Sequence, residues 1–64
     1  MNQLESKNKH GELITLTQAC ELANLGSSTV RKLAEEAGAV RKIGRSYRIK
    51  RNQFFDYIEK VYAE

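Results

Sequence analysis

Three groups of side chains in this sequence have types that do chemistry. The soft metal ligands are Cys20 and His10. A zinc site takes four ligands, so this pair falls short and neither a metal nor another cofactor is expected. Cys20 is the only cysteine, which excludes an internal disulfide. No positive charge stands near it in sequence to activate it, so it reads as a buried structural thiol. His10 has no sequence neighbour to act with. The second group is Glu35 and Glu36. Adjacent residues on a helix project about 100° apart, so these two cannot converge on one site as an acid–base pair. With no nucleophile–histidine–acid set and no phosphate-cradling glycine loop, the chain is not expected to be an enzyme.

The third group is basic and concentrated. The window from Arg31 to Arg51 holds eight cations (Arg31, Lys32, Arg41, Lys42, Arg45, Arg48, Lys50 and Arg51) against two acids, Glu35 and Glu36, a net charge of +6. The rest of the chain holds three cations against six acids, a net charge of −3. Such asymmetry suits one face turned to a polyanion; the alternative is a solvated charged surface.

The elements that position these cations follow from periodicity and punctuation. Leu13–Ile14–Thr15 is a candidate short strand. A first helix is expected from Leu16-Thr17, with Thr17 as its N-cap and Ala19, Leu22 and Ala23 on one face. Gly26 is expected to take a left-handed conformation and end it. Ser27 or Ser28 then caps a second helix, which runs to about Ala37 and is closed by Gly38. Val30, Leu33, Ala34 and Ala37 make its core stripe. The opposite direction holds Ser28, Lys32 and Glu35, flanked by Arg31 and Glu36. Two short helices around a glycine-containing turn form a helix-turn-helix or a plain helical hairpin.

A β-hairpin is expected next, with Ala39–Ile43 and Tyr47–Lys50 as arms and Gly44-Arg45-Ser46 as its tip. Tyr47 and Ile49 share one face, and Arg48 points the other way. Arg41 falls on the face of Ile43, so a twist or bulge is expected in the first arm. Arg51–Glu64 reads as a third helix with Phe54, Ile58 and Val61 as its stripe. Tyr57 and Tyr62 widen that stripe. Phe55 and Tyr62 are either core or partner contacts.

This order of elements resembles the excisionase-type (MerR-like) winged helix-turn-helix domains over about residues 14–62. The resemblance rests on Leu16–Leu22 as first helix and on Gly26-Ser27-Ser28-Thr29-Val30-Arg31-Lys32-Leu33 as turn and recognition helix. It rests further on Ile43-Gly44-Arg45-Ser46-Tyr47-Arg48-Ile49 as wing, then on Phe54 and Tyr57-Ile58 in the closing helix. Cys20 replaces the family's usual small residue, and Gly38-Ala39 stands where the family carries a proline.

The resemblance implies an α+β fold: three helices with a small antiparallel hairpin wing and a possible third strand at the N-terminus. It also implies an architectural factor that binds and bends double-stranded DNA and helps a tyrosine recombinase excise a mobile element. A small transcriptional repressor or phage regulator is the alternative. The expected DNA contacts are Ser27, Ser28, Thr29, Arg31 and Lys32 on the second helix and Arg45, Ser46 and Arg48 on the wing. Arg31 and Lys32 are the base readers, since both donate to guanine O6 and N7. Glu35 orients Lys32, accepts from a cytosine amine or is merely solvated. Tyr47 packs in the core or reaches a phosphate, core being the expectation. Adjacent copies on DNA are expected to raise affinity.

Sixty-four residues make one domain at most, with a thin core that buries roughly 60% of the unfolded surface. The expected division is a flexible tail over 1–12 and the domain over 13–64. No apolar run suggests a signal peptide or a membrane span, and a lone cysteine suits a cytoplasmic address.

Overall fold

The computed structural model describes residues 12–63. The expected tail, except Glu12, and His10 within it lie outside the described residues, as does Glu64. The chain enters the fold through β1 (Leu13–Thr15), which buries Ile14 completely. Glu12 is tied to the domain: its carbonyl accepts from the Arg51 amide at 2.9 Å, and its carboxylate lies 3.5 Å from Lys50 Nζ.

Helix α1 (Leu16–Ala23) begins two residues before the start that a Thr17 cap would give. Its N-cap is Thr15, not Thr17. The Thr15 hydroxyl accepts from the Gln18 amide, and the Gln18 side chain accepts from the Thr15 amide, both at 3.0 Å. This reciprocal pair needs a Gln or Glu three residues after the cap. Thr17 has Cys20 there, which cannot reciprocate. The residues of α1 that meet the core are Leu16, Ala19, Cys20 and Ala23. Leu22, expected on that face, is left 42% exposed.

Asn24, not Gly26, supplies the left-handed residue that ends α1, at φ 59. The Leu25 amide then reaches back to the Cys20 carbonyl at 3.1 Å. Asparagine tolerates this conformation, because its short polar side chain bonds locally. Gly26 sits in extended conformation (φ −75) as the N-cap of α2 (Ser27–Glu36). Neither Ser27 nor Ser28 is the cap; both lie inside the helix. The turn between the helices is thus Asn24–Gly26.

Helix α2 buries Val30, Leu33 and Ala34, as its stripe requires. It closes as expected at Gly38, whose φ is +68. The Gly38 amide bonds the Glu35 carbonyl and the Ala39 amide bonds that of Ala34, at 3.1 and 2.9 Å. These two bonds define closure through a left-handed residue, and the buried pair Ala34–Ala39 supplies the apolar contact that accompanies it.

Strands β2 (Val40–Ile43) and β3 (Ser46–Lys50) pair antiparallel, and β1 adds to the far side of β3, giving the order β1-β3-β2. Ile14, Ile49 and Val40 lie side by side across the sheet, a ladder of β-branched residues on its inner face. The β2–β3 register is one-to-one, so the expected bulge is absent. Val40 and Lys42 face inward, and Arg41 and Ile43 face outward; the alternation is regular and only looked broken because Ile43 is apolar. Ser46 belongs to β3, opposite Ile43, so the turn is Gly44-Arg45 alone. Gly44 at φ +61, followed by a residue of negative φ, fits a type II′ turn.

Helix α3 (Arg51–Tyr62) seats Phe54 fully in the core, with Phe55 edge-on to it at 5.0 Å and 74°. Phe55 and Ile58 are half-buried against the core. Val61 and Tyr62, at the end of the helix, are exposed. The domain is therefore α+β, three helices and a three-stranded antiparallel sheet in a winged-helix-like layout. Among the described residues, no helix is long and apolar enough to cross a membrane.

Candidate nucleic-acid interface

Helix α2 turns an open polar face outward. Ser27, Ser28, Thr29, Arg31, Lys32 and Glu35 are all exposed. Its first turn has no acidic residue and no side-chain cap. The free amides and the positive end of the helix dipole are therefore not neutralised from within, which favours an anion there.

The wing meets this face at Arg31 and Tyr47. The Arg31 guanidinium carbon lies 5.0 Å from the centre of the Tyr47 ring, so α2 and β3 meet over a cation–π pair. Tyr47 packs against the core, as expected, and its hydroxyl is buried without a hydrogen-bond partner among the described residues. Lys42 is the cross-strand partner of Tyr47 and so projects from the same side of the sheet. It is exposed. Lys42 was not among the expected contacts. Its side of the sheet becomes readable once the turn is known to be two residues long.

Arg45 stands exposed in the turn, at the tip of the wing. Ser46 is half-buried. Arg48 does not join the group near α2. It lies on the outer face of the sheet, and its guanidinium donates to the Tyr47 carbonyl at 3.1 Å. Arg41 is its direct cross-strand partner. Like charges placed opposite one another repel, and Arg41 is drawn aside. Its Nη1 donates to the carbonyls of Gly38 and Val40 at 2.9 and 3.0 Å, and its Nη2 to Gln53 Oε1 at 3.2 Å. Gln53 Nε2 donates in turn to the carbonyls of Ala37 and Gly38, at 2.9 and 3.0 Å. Arg41 and Gln53 thus fasten the root of the wing and α3 to the C-terminal end of α2. Charge alone made Arg41 look like part of the open basic surface, but its donors are used within the fold.

A second tie holds α3 to α2. The Tyr57 hydroxyl donates to Glu36 Oε1 at 2.9 Å, and that bond to a carboxylate holds the phenol above its ordinary pKa of 10.0. Glu36 is therefore engaged away from Glu35. On the same flank of α2, an apolar groove of about 360 Å³ runs between the helices, lined by Leu25, Thr29, Lys32, Leu33, Ile58 and Tyr62. Among the described residues, no three His, Cys, Asp or Glu side chains gather as a metal site.

The fold and this face together define a small winged-helix-like domain with a basic edge. The chain belongs to DUF6462, a family of unknown function whose model matches residues 12–61. No curated protein and no solved structure matches the chain.

Proposed function

We propose that this domain binds double-stranded DNA, with α2 in the major groove and the β2–β3 wing against the adjacent minor groove or backbone. The observation that carries this reading is the Arg31–Tyr47 contact. It ties an exposed helix face of hydroxyls and bases to a hairpin with Arg45 at its tip and Lys42 on its near side. Hydroxyls and helix amides hold phosphates, and Arg31 and Lys32 read base edges. Lys42 joins Arg45 as a wing cation. Ser46 and Arg48 take a lesser part, since one is half-buried and the other, set back from the tip, has its guanidinium on the Tyr47 carbonyl.

Within this reading the domain is a binding module, not an enzyme, with a cytoplasmic address. Its role is architectural: an excisionase-like factor that bends DNA at the ends of a mobile element and assists a tyrosine recombinase. The support is the resemblance of its helix–turn–helix and wing residues to excisionase-type domains. Tyr62 and Leu25, at the rim of the apolar groove, are the surface left for the recombinase or an adjacent copy.

Selection of bound duplexes from a random-sequence pool, followed by gel shift, tests the reading. The wild type is expected to retain duplex DNA. Arg45→Ala should weaken binding to every sequence, whereas Lys32→Ala should relax preference at one base pair. Binding that is indifferent to both substitutions contradicts the reading. Recovery of a self-regulating operator in place of element ends favours a repressor.

A further inference from the structure

Ile43 is an apolar side chain at the wing tip, 56% exposed, with nothing large across the strand from it. Its cross-strand partner is Ser46. The next residues inward on the same face are Arg41 and Arg48, and the exposed cations Lys42 and Arg45 stand on either side along the chain. A lone exposed isoleucine is ordinary on a protein surface. This one differs in its surroundings: it is a rigid β-branched knob at the narrow end of a two-residue hairpin, with Arg45 beside it in the turn and Lys42 on the opposite face of the same strand.

We infer that Ile43 is a wedge that enters the minor groove at a base step and bends the duplex, while Lys42 and Arg45 hold the phosphates on either side. The inference rests on the DNA-binding reading above and adds the residue that does the bending. Charge complementarity supports it, because cations around an apolar knob match a groove whose walls are phosphates and whose floor is base edges. Apolar wedges of this kind part a base step and kink DNA toward the major groove. Ile43 is rigid at χ1 and loses little freedom on insertion.

The test uses a duplex selected by the wild-type protein from the random pool, with donor and acceptor dyes at its ends. Wild type should shorten the end-to-end distance by the amount of a bend of about 20–90°. Ile43→Ala loses both the apolar burial and the cost of unstacking. Its affinity should therefore move less than about tenfold while most of the bend disappears. Ile43→Leu should keep the bend. Ile43→Lys should bind at least as tightly as wild type and fail to bend.

Ile43 is exposed, so none of these changes removes a core contact. A wild-type complex that stays straight, or an Ile43→Ala or Ile43→Lys complex that bends as wild type does, overturns the wedge and leaves DNA binding intact. A wild-type protein that retains no duplex from the pool overturns both.

Discussion

The Arg31 guanidinium lies over the Tyr47 ring at 5.0 Å and braces α2 against the wing. Exposed cation–π pairs contribute about 0.5–1 kcal/mol. Arg31→Ala should lower stability by that order in a urea melt, and no change would mean that the contact is idle. Tyr47→Phe should act in the opposite direction. It keeps the ring under Arg31 and removes a buried hydroxyl that has no partner among the described residues. Stability should hold or rise by about 1 kcal/mol. A clear loss would show that the hydroxyl is bonded in solution.

The cap of α1 separates two threonines by a large margin. Thr15→Ala breaks a reciprocal capping pair and should cost about 1 kcal/mol. Thr17 is exposed in the first turn, and Thr17→Ala should stay within roughly 0.5 kcal/mol of wild type. Denaturant melts of the two variants decide which residue is the cap. Equal costs would contradict the placement.

Arg41 and Gln53 predict a coupled effect. Gln53→Ala removes one acceptor from the Arg41 guanidinium and one donor each from the Ala37 and Gly38 carbonyls, so a loss of about 1–2 kcal/mol is expected. The double variant with Arg41→Ala should lose less than the two single losses added together, because both residues serve one network. Strict additivity would mean that the two act independently.

Tyr57 predicts a pH dependence above the neutral range. Its pKa is raised in the folded protein because Glu36 accepts its hydrogen bond. The folded state then holds the proton more firmly than the unfolded state. The bond's contribution is complete below the ordinary value of 10.0 and is lost as pH rises through the folded value. Comparing thermal melts of wild type and Tyr57→Phe from pH 8 upward isolates this proton. The gap between the two curves should hold up to about pH 10 and shrink as the pH rises further. A constant gap would contradict the assignment.

Much of this was legible in the sequence because local signals agreed with tertiary packing. The stripe Val30–Leu33–Ala34, the closure at Gly38 and the pair Tyr47–Ile49 each followed from spacing and one punctuating residue. The missed features turned on competition between neighbours. Thr15 and Thr17 both qualify as caps until the reciprocating Gln18 is weighed. Asn24 and Gly26 both qualify as the left-handed residue.

The site was less legible than the fold, for a different reason. Eight cations in one window look alike in sequence, but Arg41 is consumed by backbone carbonyls, Arg48 faces outward and Lys42 faces the side of α2. Only the register of the hairpin sorts them, and that register depends on the two-residue turn. Ile43 looked like a broken alternation because exposure of an apolar residue leaves no mark in the pattern itself.

The central claim is that the basic edge of α2 and the wing engages the phosphates of duplex DNA. Fluorescence anisotropy of a selected duplex across a salt series tests it most directly. With about five phosphates neutralised, log K should fall against log salt with a slope of about −4 to −5. Arg45→Ala should make that slope shallower by about one. A slope near zero, or one unchanged by losing Arg45, would contradict it.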